Sequence, residues 1–271
     1  MDVFFRAYRS SSAANCLAVW TPDCGLLIDF GVKTLRDCRA LVRGHCDEHG
    51  PLAGALVSHS HGDHLSRDGF RVLQEHGIPV HSHRLVAPQL HARIDGEAGE
   101  GLAVRTFPGD RFSIGDFEIT AVPLPHAPGV PNFGFVILAG HSSRRRKIVV
   151  CTDLRDSADI APHLPGADFV FVEANHDVDL LRRHFNPNSR YHLNNGQTAS
   201  LLCDAARSRR FSPKSVVLGH LSAERNRDHL AVDAVYRTFA AQGLEVPCPI
   251  ETAPRFGPSD VFRVGRPRSA L

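Results

Sequence analysis

The sequence predicts an α+β architecture, within the wider α/β class: two mixed β-sheets packed face to face with helices outside. Three observations lead to it. Strand-like runs come first, then a helix, a polar motif at a strand end, more strands, and finally strand–helix alternation. No linker and no repeat of the ~20–50-residue kind interrupts the chain, so residues 1–271 are read as a single domain. Of the 271 residues, 42% are hydrophobic and 22% charged, the balance of a globular chain with a sizeable core.

Residues 3–8 read as a first strand and 9–15 as a loop of small residues. Strands at 16–20 and 25–30 are joined at Pro22-Asp23, a turn signal. Asp29 closes the second of these, where a carboxylate can orient a ligand histidine or cap the next helix. Leu35, Cys38, Leu41 and Val42 have helical spacing within 33–49. The apolar run 54–57 suits a buried strand, 66–75 a helix and 78–81 a short strand. His81, His83 and His91 follow no ligand-bearing strand end and are read as surface or supporting residues, and 96–101 as an exposed loop. Strands follow at 104–107, 111–114, 117–122, 133–139 and 147–152. The turn before the last carries Arg144-Arg145-Arg146-Lys147, which either touches phosphates or is a solvated turn. Then come a strand at 168–172, a helix at 178–184, a loop at 186–189 and a helix at 197–208. A strand at 215–218, a helix at 227–242 and a tail adding one or two edge strands complete the chain.

The stretch His59-Ser60-His61-Gly62-Asp63-His64 puts three histidines and an aspartate between a strand and a helix. Imidazole and carboxylate suit Zn, Mn or Fe(II). His59 and His61, two apart in an extended stretch, point to one side. Asp63 and His64 follow Gly62, where the chain can turn toward a second ion. Four such side chains this close would otherwise carry an unfavourable proton load.

His-x-His-x-Asp-His resembles the signature of the metallo-β-lactamase fold superfamily, which implies an αββα sandwich. It leaves the substrate open, because that fold hosts many hydrolases. Further ligands are expected where later apolar strands stop. His126, Asp153 and His220 meet that test, and their order matches the superfamily's later motifs. Their rivals are His141, Asp156 or Asp159, and His229. His59, His61 and His126 are assigned to one ion, and Asp63, His64 and His220 to the other. Asp153 bridges, since a carboxylate can bind one ion with each oxygen. Two such divalent ions would share a water ionised near neutral pH.

Thr152-Asp153-Leu154, Glu173-Ala174-Asn175-His176-Asp177-Val178 and Tyr191-His192-Leu193-Asn194-Asn195 resemble segments of the YycJ/WalJ/VicX group within that superfamily, as does Leu218-Gly219-His220-Leu221-Ser222. The likeness runs from about Val3 to Tyr236. Where the group has Gly-Ser-Ser-Gly-Asn, this chain has Ser11-Ser12-Ala13-Ala14-Asn15. The resemblance implies a DNA exonuclease acting 5′ to 3′ with manganese or a similar ion. Asp63 and His192 are the candidate catalytic residues. His192 would contact the scissile phosphate or protonate the leaving oxygen, or else merely cap the helix near Gln197. Asn175 and His176 are read as supports behind the ligands, with Asp29. The same hydrolytic centre could instead serve a small phosphodiester or a lactone, and a third reading is a metal-binding sensor without turnover.

Seven cysteines, with no Cys-x-x-Cys, argue against a disulfide framework and a structural zinc site. Gly-x-Ser-x-Gly is absent, so nothing points to a serine hydrolase. The formal charge of +2 neither requires nor excludes a polyanionic partner. No signal peptide and no uncharged apolar segment of ~18 residues is seen, so the expectation is a cytoplasmic protein without a membrane span.

Overall fold

Among the described residues, runs of β-branched and aromatic residues with one or both faces buried build two seven-stranded sheets. The computed structural model describes residues 2–94, 103–107, 109–140 and 145–265. The first sheet holds β1 (Phe4–Ser11), β2 (Ala14–Trp20), β3 (Gly25–Ile28), β4 (Leu52–Val57), β5 (Val80–His83), β6 (Val104–Phe107) and β14 (Phe262–Arg263). Their spatial order is β14-β1-β2-β3-β4-β5-β6. The second holds β7 (Arg111–Ile114), β8 (Phe117–Leu124), β9 (Asn132–Ala139), β10 (Arg146–Cys151), β11 (Phe169–Glu173), β12 (Ser215–Gly219) and β13 (Ile250–Thr252). Its order is β13-β12-β11-β10-β9-β8-β7. Both sheets mix parallel and antiparallel pairs.

Alternation along β11 shows how the layers form. Phe169 and Phe171 face the other sheet, with ring centroids 4.5 and 5.5 Å from that of Phe5. Val170 and Val172, between and beyond them, join a second apolar cluster under α5 (Asn195–Ala206) and α6 (Asp228–Ala241). α6 buries Ala231, Val235 and Phe239, four residues apart on one face. α1 (Leu35–His49) and α2 (Arg67–Glu75) cover the outside of the first sheet. Thr34 and Ser66 cap them by accepting from Asp37 N and Gly69 N. The result is the expected sandwich of two sheets between helices.

Several boundaries differ from the sequence reading. β1 continues to Ser11 and turns through Ser12-Ala13 into β2, so 9–15 is a hairpin and not a loop. A bulge between Ala7 and Arg9 resets the alternation, so polar residues are carried into the strand. α3 (Ala87–Ile94) was not expected. His83 is buried, its ring 4.2 Å from that of Phe133. The loop 96–101 lies outside the described residues, as do Arg144 and His141. The rest of the basic run is engaged within the chain: Arg145 pairs with Glu118, Arg146 with Asp168, and Lys147 Nζ donates to the Pro165 carbonyl. That turn starts β10, roughly 20 Å of strand away from Asp153 at its far end. Among the described residues no helix is long and apolar enough to cross a membrane.

Candidate metal centre

Strand direction gathers the polar residues. β3 and β4 run parallel, and so do β10, β11 and β12. β8 shares the direction of β10, because antiparallel β9 lies between them. Their carboxyl ends therefore emerge at the same edge of each sheet. Just past these ends stand Asp29, the 58–64 loop, His126, Asp153 and His220, with Glu173 the last residue of β11. Asp29, Asp153 and His220 have φ of 59°, 58° and 53°. A left-handed backbone costs a non-glycine residue on the order of 1–3 kcal/mol, and such strain collects at functional sites. Asn175 supports the turn at His220, its amide donating to the His220 carbonyl at 3.0 Å, and Ser10 Oγ accepts from His220 N at 2.8 Å.

The motif loop is clamped to the hairpin beside it. Asn15 N donates to the Asp63 carbonyl at 2.7 Å, and Gly31 N donates to the Asn15 carbonyl at 2.8 Å. Glycine is required at 31, because a Cβ there would lie 1.8 Å from the Asp63 carbonyl oxygen.

Among the described residues, four groups of side chains converge, each residue offering one ligand atom and all atoms of a group lying within 4.8 Å of one another. They are His59, His61 and His126; Asp63, His64 and His220; His59, His64 and Asp153; and Asp153, Glu173, His192 and His220. All seven residues read from the sequence as ligands fall in these groups. Asp156, Asp159 and His229 fall in none of them.

The partners behind the rings set the tautomers. His126 Nδ1 lies 3.2 Å from the Tyr191 carbonyl, His64 Nδ1 2.7 Å from Asp29 Oδ2, and His220 Nδ1 2.9 Å from Glu173 Oε2. Carbonyl and carboxylate oxygens only accept, so each Nδ1 carries the hydrogen and each Nε2 faces the cluster. Ser58 Oγ donates to Asp29, so it must accept from His59 Nδ1 at 3.1 Å. Among the described residues, His126 Nε2 and His220 Nε2 are buried with no hydrogen-bond partner, and Asp153 Oδ2 has only the charge contact with His64 Nε2 at 3.0 Å. Orphaned lone pairs converging in this way fit a divalent metal, which would satisfy them together.

The charges fit too. Burial works against ionising Asp153 and Asp63, but the facing imidazoles outweigh it and hold both carboxyls below the usual range. Burial also opposes charge on His64 and His220, yet Asp29, Asp153 and Asp63 push His64 well up, and Asp153, Asp63 and Glu173 push His220 to about 10. His59, buried beside His64, is pushed well down. The carboxylates thus demand positive charge at this point, and bound cations would supply it while displacing protons.

Asp29 does not cap α1, since Thr34 does; it holds Ser58 and His64. His192 does not cap α5 either, because Asn194 and Gln197 form a capping box there. Its Nδ1 instead lies 2.9 Å from Glu173 Oε2. His176 is turned away: its backbone bridges Asn194, and its ring lines a neighbouring cavity without a hydrogen bond to the cluster among the described residues. Glu173, with Ser58 and Asn15, was not singled out by sequence. Glu173 is fully buried and accepts from Asp153 N, Leu154 N and Leu193 N besides the two histidines. It ends an apolar strand, the signal that also marks Asp153 and His220. A cavity of about 350 Å³ opens onto the cluster, with Asp63, His192 and Arg225 in its lining.

Comparison with known proteins bears on the family and the fold. The family model described as "Beta-lactamase superfamily domain" matches residues 25–221. The chain is 27% identical over 256 residues to the exodeoxyribonuclease YycJ of Bacillus anthracis, covering 91% of this chain and 92% of that one. It is 24% identical over 249 residues to the exodeoxyribonuclease WalJ of Streptococcus pneumoniae, covering 88% of each. The crystal structure of the metallo-β-lactamase fold protein YhfI from Bacillus subtilis superposes with a TM-score of 0.68 at 18% identity, covering 97% of this chain and 100% of that one. The chain belongs to the beta-lactamase superfamily domain family, and it is a hydrolase of the metallo-β-lactamase fold.

Proposed function

We propose that this hydrolase is a dinuclear-metal phosphodiesterase acting on DNA, an exonuclease that works from a strand end. The observation that carries the reading is a pair of three-residue donor sets joined by one carboxylate. His59, His61 and His126 would hold one divalent ion, and Asp63, His64 and His220 the other. Asp153 stands between them, with Oδ2 at 3.0 Å from His64 Nε2 and 3.6 Å from His220 Nε2, and Oδ1 at 3.9 Å from His126 Nε2. The imidazole–carboxylate set suits Zn, Mn or Fe. When bound, the ions supply Lewis acidity toward phosphoryl oxygens and make water nucleophilic near neutral pH.

The chain's own residues do the rest. Asp63, half-buried and lining the cavity, accepts a hydrogen bond from the attacking water and orients it. His192 lines the same cavity. Burial opposes its charge, but Glu173 outweighs this and raises its pKa, so an imidazolium is available to protonate the leaving oxygen. The choice of DNA draws on the names of the two bacterial relatives.

The test offers metal-loaded protein end-labelled duplex DNA, single-stranded DNA, RNA and bis-p-nitrophenyl phosphate. Nucleotide release from DNA ends is expected, with affinity falling steeply as salt rises. Hydrolysis of the small ester alone, insensitive to salt, would replace this reading with a small-molecule phosphodiesterase. The confined cavity is the observation that favours that second reading.

A further inference from the structure

A second cavity, of about 380 Å³, adjoins the one over the cluster. Asn186, Ser189 and His192 line both, so the His192 imidazole stands in the wall between them. Among the described residues, no carboxylate lines the second cavity; Arg155, Arg190, Gln197 and Phe185 do. Phe185 is 78% exposed. A lone exposed apolar side chain is ordinary, but this one lines a cavity, and the backbone is fixed on both sides of it. Behind it α4 (Val178–Arg183) is capped by Asp177, and His184 N donates to the Leu180 carbonyl at 2.9 Å. Ahead of it the Asn186 side chain caps the 3-10 turn Pro187–Tyr191, accepting from Asn188 N at 2.9 Å. The Arg190 guanidinium lies 4.7 Å over the Tyr191 ring and donates to its hydroxyl. Arg155 makes no ion pair among the described residues, so its charge is available to a ligand.

An exposed aromatic face beside two guanidinium groups, with amides and no acid, matches an unpaired base and its phosphate. Bases stack on aromatic rings whatever their sequence, and arginine neutralises the backbone. We propose that the second cavity is a subsite for the nucleotide across the scissile bond from the one held over the cluster. Its base stacks on Phe185, and its phosphate lies between Arg155 and Arg190. This rests on the phosphodiesterase reading above and adds that the strand enters unpaired. Each cavity is on the scale of a small-ligand pocket, so each takes one nucleotide and neither takes a duplex.

The test measures binding of thymidylate mono-, di- and tetranucleotides to metal-loaded protein, with phosphorothioate links that resist cleavage. The dinucleotide is expected to bind about tenfold or more tightly than the mononucleotide, the contribution of one stacked base. Phe185→Ala and Phe185→Leu remove that step, and Phe185→Trp keeps it, which separates stacking from mere apolar contact. Phe256→Ala, an equally exposed phenylalanine outside both cavities, leaves it intact. A step that survives in Phe185→Ala overturns the subsite. So does a wild-type protein that degrades DNA yet shows no step. A wild-type protein that binds no oligonucleotide overturns the subsite and the DNA reading together.

Discussion

Asp153→Ala is expected to lower the proposed metal-dependent phosphodiester hydrolysis by on the order of a thousandfold or more. Asp153 belongs to two of the four converging groups, and its two oxygens face different histidines. Its removal therefore weakens both proposed ion sites at once. Metal-ion catalysis supplies several kcal/mol of charge stabilisation, and each ~1.4 kcal/mol is a factor of ten in rate. The measurement is kcat on bis-p-nitrophenyl phosphate at saturating Mn or Zn. Asp153→Asn keeps the shape and one acceptor oxygen, so a defect shared by both variants with an unchanged melting temperature assigns the loss to the charge. A rate within tenfold of wild type would show that Asp153 holds no catalytic ion.

Glu173→Gln is the second large effect, and it acts through other residues. The carboxylate accepts five hydrogen bonds, from three backbone amides and from Nδ1 of His192 and His220. Burial opposes its ionisation, yet the imidazoles of His192 and His220 outweigh it and hold the pKa at about 2, against an ordinary 4.5. The stabilisation from that shift is complete above the unfolded value and is lost as pH falls from about 4.5 toward 2. A glutamine of the same volume turns one accepting oxygen into a donor that faces other donors. Breaking a buried charged pair costs about 3–5 kcal/mol, to be read from chemical denaturation. If His192 is the general acid as proposed, hydrolysis of DNA should fall by about 10²–10⁴-fold as it loses the partner that positions it. The deficit should shrink on bis-p-nitrophenyl phosphate, whose weakly basic leaving group needs no proton. An equal deficit on both substrates would assign Glu173 to the metal site through His220 instead.

The rule that polar residues past the ends of apolar strands meet at one sheet edge was enough to bring 59–64, 126, 153 and 220 together. It works because parallel strands share a direction, so their ends share an edge. Glu173 obeys the same rule, but it is the last residue inside β11, and Asn175 and His176 just past the strand end carry the same mark more openly. Ser58 and Asn15 carry no such mark. Their importance comes from hydrogen bonds to Asp29 and to the Asp63–His64 pair, set by packing and not by spacing. α3 was hidden because it is short, has Pro88 in its first turn and buries only Ala87 and Leu90. The hairpin at 9–15 was hidden because a bulge breaks its alternation, and because Ser10 is buried to receive His220 N, a contact with a residue 210 positions away. Tertiary contacts of this range have no local signature in the chain.

Metal content is the most direct test of the account: apoprotein dialysed against Zn or Mn, then quantified by elemental analysis and titration calorimetry. If these side chains hold a pair of cations, close to two equivalents per chain are expected, falling in Asp153→Ala and His220→Ala. A folded wild-type protein that retains no divalent transition metal, or binds it equally well without Asp153, would contradict the account.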